Sequence, residues 1–205
     1  MPLNREHERL PTGADVKRWF AGKELTTDWL TPKLQVWFTI LGPLRPLPAA
    51  ILDVGSYEGR SAIAFLEFLP TSQVTTIDVF PNADVEARCR RNLAPYGDRV
   101  RVIKARAAGA LDELYAERRL FDVVYLDAGK RPGGVMARSV LAWSLLRHDG
   151  IFIWDDLTWG AGRPELERPA LGIKVFCNAF GSCMTILHRQ SQLIVRKTAE
   201  WPGLS

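Results

Sequence analysis

The stretch Ile51-Leu-Asp-Val-Gly-Ser-Tyr-Glu-Gly-Arg-Ser61 sets the pattern for the chain on either side of it. It opens as a short apolar strand, turns through Gly55 and Gly59, and runs into an apolar helix from Ser61 to Leu69. Asp53 stands two positions before the first glycine, and Asp78 ends the next apolar run, Val74-Thr-Thr-Ile-Asp78. Glycines let the backbone come close to a ligand, and the helix N-terminus beyond them offers free N–H groups. An acid at the end of the second strand is placed to accept hydrogen bonds from a ribose diol. Together these features form a nucleoside-binding arrangement; the glycines taken alone would also serve an ordinary strand-to-helix turn, and Asp78 alone a helix N-cap.

Outward from this unit, strand and helix alternate. Strands are expected at 50–54, 74–78, 99–104, 121–126 and 150–154, and helices at 60–69, 83–94, 107–118 and 134–147. Strands interleaved with helices at this spacing imply an α/β fold, a parallel sheet with helices on both faces. After a helix from Ala170 to Phe180, the apolar runs Cys183-Met-Thr-Ile-Leu-His188 and Gln192-Leu-Ile-Val-Arg196 form a hairpin, so one strand is antiparallel. Upstream, residues 1–24 are polar and read as a loose arm. Residues 25–42 read as a helical cap on a single domain ending near residue 200. Thr31 is expected to N-cap that helix and Pro32 to open it, with Leu34, Trp37, Phe38 and Leu41 at helical spacing.

A five-strand alternating core with a C-terminal hairpin resembles the class I S-adenosylmethionine-dependent methyltransferases. Asp53-Val-Gly55-Ser-Tyr-Glu-Gly59 is similar to their first motif, acidic-x-Gly-x-x-x-Gly, and Asp78 to their strand-two acid. Val54-Gly-Ser-Tyr-Glu-Gly-Arg-Ser61 and Trp154-Asp-Asp-Leu-Thr-Trp159 resemble a subgroup of small-molecule, O-methyltransferase-like enzymes, and the resemblance covers roughly residues 25–198. It implies a Rossmann-like sheet of seven strands with one antiparallel member. It also implies that Asp53, Gly55, Ser56, Tyr57 and Gly59 surround the methionine part of the cofactor, with Ser61 at the helix start. Asp78 would hold both ribose hydroxyls, with Val79 and Phe80 beside the sugar or adenine and Arg106 and Ala107 near the adenine. The subgroup often has Asp-Gly-Ser-His after strand four; here it is Asp127-Ala-Gly-Lys130, which removes a histidine that could act as base.

In an open parallel sheet the ligand crevice lies beyond the carboxyl ends of the strands. Asp127 after strand four and Asp155 and Asp156 after strand five collect there. Catechol and caffeoyl-coenzyme A O-methyltransferases place a divalent metal at this location, and the resemblance implies Asp127, Asp155 and Asp156 as ligands for magnesium or another divalent cation. A bound cation would lower the pKa of an acceptor hydroxyl and orient it. The alternative is that Asp155 and Asp156 cap the following turn and Asp127 meets only the cofactor's amino group. Asp127 and Lys130 are the catalytic candidates, Lys130 as general base or as binder of substrate charge; a plain surface lysine is the other reading. His188 is a weaker candidate, and Trp29, Trp154 and Trp159 are candidate pocket walls.

The formal charge of +4 is spread over scattered arginines, which fits a small-molecule enzyme better than a nucleic-acid binder. Three widely spaced cysteines, Cys89, Cys177 and Cys183, form neither a disulfide framework nor a zinc knuckle. Without a signal-like or membrane-spanning apolar run, a cytoplasmic location is expected. The expected partner is a small-molecule acceptor, with no nucleic acid and no membrane; a homodimer is left open. A nicotinamide-dependent dehydrogenase would need Gly-x-Gly-x-x-Gly and a different ending. A base methyltransferase usually carries (Asp/Asn)-Pro-Pro-(Tyr/Phe) after strand four, which is absent. A cofactor-binding module without turnover is the non-enzymatic alternative.

Overall fold

The computed structural model describes residues 9–200. At its centre is β1 (Ala50–Val54), paired in parallel with β2 (Gln73–Asp78) on one side and β4 (Phe121–Leu126) on the other. β3 (Val100–Lys104) extends the sheet beyond β2, and β5 (Leu146–Trp154) lies beyond β4. The hairpin of β6 (Met184–Arg189) and β7 (Leu193–Lys197) completes seven strands in the order β3-β2-β1-β4-β5-β7-β6. Only β7 runs against the rest, pairing antiparallel with both β5 and β6.

The strands read as near-continuous apolar runs because both faces of the sheet are covered. Alternate side chains serve opposite cores. Ile51, Val123, Ile151 and Ile153 pack with Trp37, Phe38, Phe65 and Phe68 on one face. Leu52, Val124, Phe152 and Trp154 pack with Leu111, Trp143 and Phe176 on the other. The first face is covered by α2 (Leu34–Leu41), α3 (Arg60–Phe68) and α4 (Ala83–Leu93), the second by α5 (Ala107–Ala116), α6 (Pro132–Ser144) and α7 (Pro169–Phe180). Among the described residues, no helix is long and apolar enough to cross a membrane. The three cysteines are unbridged, with Cys89 and Cys183 buried.

Two expectations for the N-terminal region are corrected. The polar arm of residues 1–24 contains a helix, α1 (Gly13–Phe20), whose Thr12 and Asp15 form a reciprocal capping box; residues 1–8, His7 among them, lie outside the described residues. The helix expected from residue 26 starts later, as a 3-10 turn at Thr31–Lys33 leading into α2. Its N-cap position is Leu30, with no side-chain cap; Thr31 is the first residue of the turn, and its N–H donates to Asp28 Oδ1 at 2.9 Å.

Candidate active site

A cavity of about 670 Å³ opens at the carboxyl ends of β1, β2, β4 and β5. Strand order reverses beside β1, since β2 and β3 lie to one side and β4 to the other, so a crevice forms there. The turn after β1 forms one wall. Gly55 has φ +104°, and a Cβ there would stand 2.2 Å from the Asp127 carbonyl oxygen. A side chain at this position would force apart the ends of β1 and β4. Gly59 (φ +88°) is the N-cap of α3, packed under Leu93 and Cys89. Between them, Tyr57 is held at φ +47° by its N–H donating to Asp78 Oδ2 at 2.8 Å. The Phe80 N–H donates to Asp78 Oδ1 at 2.7 Å. The acid at the end of β2 is thereby fixed against the glycine turn, and both line the cavity.

The opposite wall is ionic. The ammonium of Lys130 lies between Asp127 Oδ1, at 3.0 Å, and Asp156 Oδ2, which it meets in a very short contact. Lys33, from the turn before α2, reaches across to Asp155, with Nζ 2.6 Å from Oδ2. Asp155 also accepts from the buried Tyr125 hydroxyl at 2.7 Å and from the Asp156 N–H at 2.9 Å. Burial pushes the Asp127 carboxyl up to about 6, against the pull of the Lys130 charge. Tyr125 is raised well above the usual phenol range, first by burial and then by the Asp127 and Asp155 charges.

Residues 52–157, just over half of the 205, match the model of a family described as methyltransferase domain. The chain belongs to that family. It is 29% identical over 120 residues to the O-methyltransferase hkm8 of Aspergillus hancockii, a match covering 57% of this methyltransferase and 46% of the relative. The chain thus spans about half the length of the curated relative it matches. An O-methyltransferase of Bacillus cereus, solved with S-adenosylhomocysteine, superimposes with a TM-score of 0.68 at 19% identity, covering 95% of each chain. MycE of the mycinamycin biosynthetic pathway, solved with magnesium and S-adenosylhomocysteine, gives a TM-score of 0.66 at 19% identity, over 93% of this chain and 55% of that one. At these identities, the structural likenesses establish the fold, a Rossmann-like methyltransferase sheet.

Of the methyltransferase residues expected around a cofactor, Gly55, Ser56, Tyr57, Ser61, Asp78 and Asp127 line the cavity. Gly59 lies directly behind it as the cap of α3. Asp53 does not reach it. That side chain is fully buried beneath the turn and accepts from Ser61 Oγ at 2.9 Å and Thr76 Oγ1 at 2.7 Å, so it positions the turn from below. Val79 points to solvent and Phe80 into the core, leaving Pro81 at the cavity. Arg106 and Ala107 lie at the start of α5, outside the lining. His188 on β6 is also outside it, and Trp154 is core, donating to Ser139 Oγ at 2.8 Å. Trp29 and Trp159 are walls as expected.

Sequence reasoning missed Lys33, Tyr125, Glu58 and Arg60, all of which line the cavity. Glu58 is buried, and it straps the N-terminal segment onto the turn. It accepts from the Thr26 N–H at 2.6 Å, the Thr26 hydroxyl at 2.8 Å and Arg88 Nε at 2.7 Å. Arg60 adds a bond to the Thr27 carbonyl at 3.0 Å. Local sequence carries no sign of these links, because their partners lie some 30 residues or more away.

The cavity fits a nucleoside cofactor in one specific respect: each oxygen of the half-buried Asp78 carboxylate accepts one backbone N–H and keeps further acceptor capacity at the cavity wall, beside the start of α3. A divalent cation fits less well. Asp127, Asp155 and Asp156 all line the cavity, but each already holds a lysine ammonium. Among the described residues, no acidic, histidine or cysteine group is arranged to hold a metal ion. The three-carboxylate metal site expected from the resemblance is thus not shown among the described residues.

Proposed function

We propose that this protein transfers the methyl group of S-adenosylmethionine to an oxygen of a small-molecule acceptor. The observation that carries this is a single cavity bounded on one side by the glycine turn with Asp78 and on the other by Asp127 and Lys130. Bound there, S-adenosylmethionine supplies a methyl carbon on a cationic sulfur, which an incoming oxygen displaces while the bond pair returns to sulfur. Asp78 spends one lone pair of each oxygen on the Tyr57 and Phe80 N–H groups and keeps the others for the ribose hydroxyls. The N-terminus of α3 suits the carboxylate end.

Asp127 is the better placed proton acceptor. With its carboxyl at about 6 it is ionised at neutral pH and still basic enough to take a proton from an acceptor hydroxyl. Lys130, lying between two carboxylates, acts as a cation and not as a base. Trp29, Trp159 and Leu25 supply apolar wall for the acceptor. The family match runs against the dehydrogenase reading.

The test is binding of S-adenosylhomocysteine to Asp78→Ala, followed by calorimetry, with a thermal melt to confirm folding. Loss of hydrogen bonds to a charged group should weaken binding by roughly 10- to 100-fold. Unchanged affinity would remove Asp78 from the site.

A further inference from the structure

We propose that Lys130 occupies the place of a divalent cation in this site, so that methyl transfer here is independent of metal. The inference rests on the proposed function above for its chemistry, but its structural content stands apart. The three carboxylates at the ends of β4 and β5 carry three negative charges, and Lys130 and Lys33 return two positive ones. Asp155 has no acceptor position left, because Oδ1 takes Lys33 and the Asp156 N–H, and Oδ2 takes Lys33 and the Tyr125 hydroxyl. Asp127 and Asp156 could still be drawn together by a cation, but the Lys130 ammonium already bridges them. A dication entering would have to expel that ammonium or lie against it at a repulsive distance.

The ammonium can do for an acceptor what a metal would. It has three N–H donors, two of them used by Asp127 and Asp156, which leaves one for the acceptor oxygen. That bond orients the oxygen and stabilises the negative charge that builds as its proton leaves for Asp127. The acceptor's O–H bond breaks, its proton goes to the Asp127 carboxylate, and the oxygen forms the new bond to the methyl carbon as the carbon–sulfur bond pair returns to sulfur. No oxidant, reductant or further cation is needed.

The test is titration of the full chain with Mn²⁺, followed by electron paramagnetic resonance of the free ion, with and without S-adenosylhomocysteine. The parent should bind no Mn²⁺ at submillimolar concentration. Lys130→Ala removes the bridging charge from a half-exposed side chain, and should gain Mn²⁺ affinity by roughly tenfold or more. Asp127→Asn placed on that variant should abolish the gain. Submillimolar Mn²⁺ binding by the parent that Asp127→Asn removes would overturn the proposal. So would a Lys130→Ala protein that folds by thermal melt and binds no more Mn²⁺ than the parent. S-adenosylhomocysteine binding on the same samples reports separately on the proposed function, so the two can fail independently.

Discussion

At Asp53 a carboxyl group is sealed under the glycine turn with two hydroxyls, Ser61 and Thr76, as hydrogen-bond partners. Burial pushes it up to about 6, and the hydroxyl bonds only partly offset this. A free aspartate titrates near 4, so the folded protein holds this proton more tightly than the unfolded chain. The stabilising contribution is therefore complete below about pH 4 and is lost as pH rises through about 6. Asp53→Asn cannot ionise. Relative to that variant, the parent should lose about 2 kcal/mol of unfolding free energy between pH 4 and 7.5, read by urea unfolding at both values. A difference between the two proteins that does not change with pH would contradict this origin. At this scale the sequence was only partly legible. Asp53, Asp78 and Asp127 stand out by their distance from glycines and strand ends, whereas Lys33 sits 122 positions from the Asp155 it meets.

Element by element, the turn from β1 into α3 is a tight joint between two strand ends. Gly55→Ala would put a Cβ into the Asp127 carbonyl at a φ that side chains rarely adopt. It should cost about 2–4 kcal/mol of stability, measured by chemical unfolding, and should also weaken S-adenosylhomocysteine binding. A stability loss below about 1 kcal/mol would mean that β1 and β4 do not meet as described. Glu58→Ala cuts the strap between this turn and Thr26, leaving Arg88 without its buried partner. About 2–4 kcal/mol should be lost, together with affinity for the cofactor product. Loss of stability with unaltered binding would remove the N-terminal segment from the site. Strands and most helices were readable because a sheet covered on both faces forces apolar runs of strand length. α1 was not, since its polar sequence hides behind a cap; the Thr12-x-x-Asp15 spacing was the signal for it.

For the whole molecule, topology places the chemistry. Parallel strands on either side of β1 bring the Gly55 turn, Asp78 and the Asp127 loop to one end of the sheet, and the β5 loop adds Asp155 and Asp156. That convergence, and Lys130 three residues beyond Asp127, could be argued from the sequence; Lys33 could not, because a long flexible side chain from a distant turn chooses its partner only after the walls are built. The central claim is that this end of the sheet binds a methyl-donor nucleoside. The direct measurement is calorimetric titration of the parent protein with S-adenosylhomocysteine, with NADH as control ligand. The expected result is one-to-one binding with a micromolar dissociation constant and no response to NADH. No binding of S-adenosylhomocysteine by well-folded protein, or comparable binding of NADH, would contradict the account.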